Sequence, residues 1–282
     1  MDEPQWDKPE AFFMAFRCMQ RKYGHSFVEK GQIKFSTPNS WVEYAKQHGE
    51  GRGDLLEGTL ATFDVHDIEN AALLLNKYYS AYSDIEPLYK EGRCYLKKRS
   101  DMELPCFCMY YLMNKMFPCP GETGYHKLQG KIPASYFKDF ADNLTPEAVE
   151  KLPPEERPCV VIIKDYPEFK RRLKNKLFSL GVSKEEIVDT SISYYDFEKY
   201  GKTGWLDFGQ RPPMELAIKH IRFETQSEGR FIINTTNSKI KEILSEPIEI
   251  GSLADISQLC DQYFYDGIHI DMYTDICKIT QS

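Results

Sequence analysis

Ile221 to Asn234 reads IRFETQSEGRFIIN, and within it Glu224, Gln226 and Glu228 stand two residues apart. If the stretch is a strand, positions i, i+2 and i+4 share one face of the sheet. That face would carry two carboxylates and an amide. Ile221, Phe223, Phe231 and Ile233 are the apolar residues that would anchor the strand in a core. Like charges stacked on one face repel, so such a ladder calls for compensation or a chemical task.

Working outward, the best strand signal upstream is CVVIIKD from Cys159, a run of β-branched residues. A basic amphipathic helix is expected over 167–180, with Phe169, Leu173 and Leu177 four apart. Further helices are expected over 183–188, 238–245 and 252–260, and a final strand at GIHIDM. Nearer the N-terminus, residues 10–20 form an apolar segment interrupted by Arg17. Tyr23 to Lys30 reads as a short helix closed by Gly31, and Gln32 to Ser36 as a strand stopped by Thr37 and Pro38. Residues 46–59 hold four glycines and read as a loop. A strand follows over Leu60 to Val65, and then a helix over 67–90 that Pro87 must end or kink. CFCMYYL reads as another strand, residues 115–130 as a loop and 134–150 as a short helix. Strands and helices mix without a regular βαβ alternation, and no long biased linker divides the chain. The expectation is therefore an α+β fold in one domain, 1–282.

The formal charge of −7 argues against broad, non-specific nucleic-acid binding. No run approaches the roughly 18 apolar residues of a membrane span, and the acidic opening MDEPQWDKPE is not a secretory signal. Eight scattered cysteines then read as free thiols of a cytoplasmic protein. Cys106-x-Cys108 with Cys119 has the wrong spacing for a zinc ribbon or finger, so no metal is expected. No Walker loop, Gly-x-Ser-x-Gly or His-Glu-x-x-His is present.

Arg17 within an apolar segment needs either a structural carboxylate or a ligand phosphate, which its planar fork suits. Ser36 and Thr37 at a strand end either cap the turn or brace a ligand. Together with Gln226-x-Glu228, this set resembles the R-S-E branch of the ADP-ribosyltransferase superfamily. The resemblance implies a central mixed or antiparallel sheet of that type with peripheral helices, and NAD as substrate. It implies that Arg17 binds the NAD diphosphate or ribose, with Ser36 and Thr37 at the strand-end position. Glu228 would stabilise the oxocarbenium-like charge as nicotinamide leaves, and Gln226 would orient the acceptor. The chain departs from the pattern where Pro38 follows Thr37 and where almost two hundred residues separate Ser36 from Glu228.

A second resemblance spans more of the chain. FVEKGQIKFSTPNSW, GRGDLLEG, PCFC and AIKHIRFETQSEGRFII are similar to the successive motifs of a bacterial family often encoded near mobile elements and phage-defence genes. RGDLLEG stands where that family carries an asparagine-aspartate-proline version. This chain also resembles toxins that ADP-ribosylate nucleic acids. In that likeness Arg52, Asp54 and Glu57 form a loop over the NAD pocket, and Arg230 supports Glu228. A plain structural ion pair between Arg230 and Glu228, two residues apart, fits the spacing equally well.

The resulting expectation is a cytoplasmic mono-ADP-ribosyltransferase, a bacterial or phage toxin or anti-phage effector. Its partners would be NAD, a protein or nucleic-acid acceptor, and an antitoxin or regulatory partner, with no membrane. Two alternatives stay open: a metal-dependent nuclease using Glu224 and Glu228, and a non-enzymatic interaction module in which Arg17 is a core ion pair.

Overall fold

The computed structural model describes residues 12–50, 53–113, 126–132, 145–200, 213–260, 268–275 and 278–281. Helices and antiparallel strands are mixed along the chain, so the α+β class stands. Among the described residues no helix is long and apolar enough to cross a membrane. The chain forms two compact units. One comprises Met1–Gln32, Met109–Lys174 and Glu249–Ser282, and the other Ile33–Cys108 and Asn175–Ile248.

The first unit is organised by the strand Pro158–Ile163, the CVVII run. It pairs antiparallel on one side with Phe12–Gln20, in the register Ala15↔Ile163 to Gln20↔Pro158, and on the other with Ser257–Cys260. Cys159, Val160, Val161 and Ile163 are fully buried, as an apolar run in the middle of a sheet must be. Phe12–Gln20 pairs in turn with the later part of Cys106–Met113. The helix Arg21–Lys30 packs on Pro158–Ile163 and ends at Gly31, whose left-handed backbone (φ 62°, ψ 38°) closes it as the sequence predicts. A separate antiparallel sheet joins His126–Ile132, Ile268–Asp275 and Lys278–Gln281.

In the second unit, Thr59–Asp64, Arg93–Lys98 and Ile85–Lys90 form a three-stranded antiparallel sheet. The helix Ile68–Ala81 closes one face of it with Leu74 and Tyr78, against Leu60, Phe63 and Leu96. The helix expected over 67–90 thus stops at Ala81. Pro87 lies on the sheet's edge strand, the position in a sheet where proline is tolerated. Glu228–Ile233 pairs antiparallel with Ile187–Ser191, from Gly229↔Ser191 to Ile233↔Ile187.

Two helix expectations give way to strands or turns. Residues 183–186 are bend and turn before the strand Ile187–Ser191, and Ser257–Cys260 is a strand where a helix over 252–260 was expected. In both places pairing to a neighbouring strand outweighs local helical spacing. Within the expected loop 115–130, residues 126–130 belong to a strand. Of the helix expected over 134–150, Pro146–Glu150 is observed, and 134–144 lie outside the described residues.

The largest correction falls on the opening stretch. Ile221–Gln226 is a 3-10 helix, Ser227 takes a left-handed conformation (φ 40°, ψ 47°), and the strand begins only at Glu228. Glu224, Gln226 and Glu228 therefore do not share a strand face. Glu224 is exposed, whereas Gln226 is buried.

Gly31 gives the clearest stability test of this frame. Its φ lies in the left-handed region, and a Cβ there would run into the backbone carbonyl oxygen of Gly251. Gly31→Ala should lower unfolding free energy by about 2 kcal/mol or more, because strain and a backbone clash add. Chemical denaturation checks this, and an unchanged midpoint would contradict the geometry.

A buried ion network as the candidate functional site

Arg230 is fully buried, two residues into the strand Glu228–Ile233. An uncompensated guanidinium in that position would be prohibitive, and its surroundings supply compensation from several sides. Nη1 donates to Glu57 Oε1 at 2.6 Å and to the Leu216 carbonyl at 2.5 Å. Nη2 donates to Glu228 Oε1 at 2.6 Å and more weakly to Glu57 Oε2 at 3.4 Å. Nε reaches Glu228 Oε1 at 3.0 Å. The guanidinium carbon lies 4.6 Å from the centre of the Trp41 ring, within cation–π range.

The second oxygen of Glu228 is taken as well. Lys219 Nζ donates to Glu228 Oε2 at 2.7 Å and to Gln226 Oε1 at 3.0 Å, while sitting 5.3 Å from the Phe223 ring centre. Two carboxylates, Glu57 and Glu228, thus balance two cations, Arg230 and Lys219. The backbone N–H of Glu228 donates to the Tyr194 hydroxyl at 2.8 Å.

Local chain geometry makes this convergence possible. Gly53 passes so close to the helix Pro38–His48 that a Cβ would sit 2.5 Å from the Trp41 carbonyl oxygen and 2.6 Å from the Ala45 nitrogen. Asp54 Oδ1 then accepts the Leu56 N–H at 2.8 Å, folding the loop that delivers Glu57. Lys97 Nζ holds the same loop through the Leu55 carbonyl at 2.7 Å. On the far side, the 3-10 turn Ile221–Gln226 brings Phe223 and Gln226 back over Lys219, which stands on the short strand Ile218–His220.

Protonation follows from these contacts. For Glu228, burial alone would push the carboxyl up, but the charges of Arg230 and Lys219 and a hydrogen bond from the Cys108 thiol outweigh it. The group is held well below the usual carboxylate range. Glu57 goes the other way, because burial dominates the opposing pull of Arg230 and Lys219. Burial also raises the Cys108 thiol, so it stays a protonated donor. Burial lowers Lys97 to about 8 against the attraction of Asp54 and Glu57.

The residues singled out from the sequence fall in different places. Gln226 and Glu228 do meet, through the shared ammonium of Lys219 and not along a strand. Asp54 is buried at the edge of the network, with Arg222 Nη2 3.6 Å from its Oδ1. Ser36 exchanges backbone hydrogen bonds with Cys106, and Thr37 caps the helix Pro38–His48 in a capping box with Ser40. Both have structural tasks in the unit that holds Glu228. Arg17 belongs to the other unit, opposite Val161 in the Phe12–Gln20 strand. Arg52 lies outside the described residues. Sequence reasoning missed Lys219, Trp41, Cys108 and Tyr194. The one available signal was a lysine set between Ile218 and Ile221.

Glu224 is exposed, and both Glu228 oxygens accept from cations, so this pair does not form a metal site. Among the described residues Asp196, Glu198 and His220 have ligand atoms within 4.8 Å of one another. His220 Nδ1 accepts the Arg222 N–H at 3.2 Å, which places the proton on Nε2, facing Glu198 at 2.9 Å. The ring therefore offers no lone pair to a cation there.

No protein-family model matches the chain, and no curated protein or solved structure is a significant match to it.

Removing one partner of a buried ion pair leaves the other charge stranded, which costs about 3–5 kcal/mol. Glu57→Gln should therefore lower stability by about that amount, measured by urea unfolding. Glu228 adds a pH signature. Its folded pKa is depressed, so its contribution is complete above the unfolded value near 4.5 and is lost as pH falls. Below pH 4.5 the stability of wild type should fall more steeply than that of Glu228→Gln, and equal slopes would remove Glu228 from the network's ionised state.

Proposed function

We propose that the protein is an NAD-dependent mono-ADP-ribosyltransferase with Glu228 as its acidic residue, working in the cytoplasm as a toxin or anti-phage effector. The observation that carries this reading is a carboxylate kept ionised in a nearly enclosed position, 11% exposed, with Gln226 on the same lysine. In the reaction the bond from ribose C1′ to the nicotinamide nitrogen breaks, and its electron pair leaves with nicotinamide. An acceptor nucleophile then supplies the pair for the new bond to C1′, and its proton goes to solvent. Positive charge develops on the ribosyl group in between, and a fixed carboxylate in a low-dielectric setting is its natural stabiliser. NAD is substrate here, and the acceptor is a protein side chain or a nucleic-acid base. For a ribose hydroxyl to reach Glu228, Lys219 has to yield Oε2, because Arg230 holds Oε1 with two donors.

One observation favours a second reading. The network is electrically balanced, and both Glu228 oxygens are filled from within the chain. That is the arrangement of a structural brace, and it fits a non-enzymatic interaction module in which Glu57, Arg230 and Glu228 fix the fold.

Labelled NAD incubated with cell extract separates the two. Wild type should transfer label, and Glu228→Ala should transfer about 100-fold less or worse. Equal labelling by both would end the role assigned to Glu228. Absence of NAD binding to wild type by calorimetry would end the transferase reading and leave the brace.

A further inference from the structure

The 3-10 turn Ile221–Gln226 covers Lys219, the cation on Glu228 Oε2, with two of its side chains. Phe223 sets its ring centre 5.3 Å from the ammonium, and Gln226 Oε1 accepts from it at 3.0 Å. Those two residues are buried, whereas Ile221, Arg222, Glu224 and Thr225 are exposed. Hydrogen bonds inside a 3-10 turn have poor geometry, and an element with so few buried side chains opens at low free energy. At its far end Ser227 turns the chain through a left-handed conformation (φ 40°, ψ 47°).

Arg222 works against opening. Its Nη2 lies 2.7 Å from Glu50 Oε1 and 3.6 Å from Asp54 Oδ1, and its guanidinium carbon is 4.8 Å from the Phe223 ring centre. One side chain thus touches the lid's buried ring and two carboxylates of a distant loop. The anchors on that loop are fixed. Glu50 forms a β-bridge with Gly53, which is pressed against the helix Pro38–His48, and Asp54 is buried with Oδ1 tied to the Leu56 N–H at 2.8 Å. Lys90 Nζ also reaches Glu50 Oε1, at 3.5 Å.

We infer that the turn Ile221–Gln226 is a lid over the Lys219–Glu228 pair, strapped shut by Arg222 on Glu50 and Asp54. Release of the strap lets the turn swing about Ser227. All of these residues belong to the second unit. When the lid lifts, Gln226 gives up the ammonium and Phe223 leaves it, so Lys219 keeps Glu228 Oε2 as its one remaining acceptor from this set. That oxygen is then open to exchange with a ligand hydroxyl. What enters rests on the transferase reading, but the opening itself does not. The strap is partly solvated, with the Arg222 side chain 37% and that of Glu50 24% exposed, so salt screens it and weakens the closed state.

Hydrogen exchange of the amides in residues 222–227, followed at constant pH, tests the lid. Arg222→Gln should raise the opening constant about fivefold, while the helix Ile68–Ala81 stays as protected as in wild type. Glu50→Gln should raise it about threefold, because Asp54 still faces Arg222. The double variant should match Arg222→Gln alone, since both changes break one strap. Raising potassium chloride from about 0.05 to about 0.5 M should open the wild-type turn about threefold and leave Arg222→Gln unchanged. Wild-type exchange in Arg222→Gln would overturn the proposal. So would a double variant that multiplies the two single effects, because Arg222 and Glu50 would then act separately. These measurements read the turn without any ligand, so a protein that fails to bind NAD ends the transferase reading while exchange still decides the lid.

Discussion

A fully buried guanidinium governs the second unit. Arg230 carries a full charge inside a β-strand, and the chain arranges two carboxylates, a carbonyl and an indole face around it. In a medium of low dielectric each of those contacts is strong, and the absence of any one would be costly. The supports come from widely separated parts of the chain: Trp41 from a helix, Glu57 from a loop, Leu216 from a 3-10 turn and Glu228 from the same strand. Correct folding of this unit is thus coupled to one residue's charge.

That requirement explains backbone features that otherwise look incidental. Gly53 lets the loop touch the backbone of Pro38–His48, and Gly58 makes room for Met102 in a left-handed conformation (φ 70°). Ser227 takes a left-handed conformation that is unusual for a side-chain-bearing residue, and it switches the chain from 3-10 turn to strand. Without that switch Gln226 would stay on the face of Glu228 and could not fold back to share Lys219. Backbone strain at Ser227 accompanies the arrangement that lets one ammonium serve an amide and a carboxylate.

The same balance shapes what chemistry the unit can support. A carboxylate that is ionised, nearly enclosed and paired with a buried lysine has the electrostatic character a ribosyl cation needs. It also has the character of an internal brace, and the difference lies in whether Lys219 can be exchanged for a ligand hydroxyl. Lysine is the more exchangeable of the two cations, being a point charge on a flexible stem, whereas Arg230 is fixed by its fork and by Trp41.

Much of the fold could be read from the chain. The CVVII strand, the helix closed by Gly31, the helix over 238–245 and the mixture of helices and strands follow from β-branched runs, apolar spacing and capping residues, which act over a few neighbours. The pairing of Glu228 with Arg230 was also legible, since i and i+2 share a strand face. What local pattern could not supply was the break at Ser227, the strand at 257–260, or the meeting of Glu57 and Lys219 around the Arg230–Glu228 pair. Those depend on contacts between residues as far apart as Glu57 and Arg230, and no periodicity encodes a partner 173 positions away. The sequence by itself determined that a charged cluster had to be compensated. Only the tertiary structure decided that the compensation is internal, because burial makes the nearest opposite charge, whichever element brings it, the one that counts.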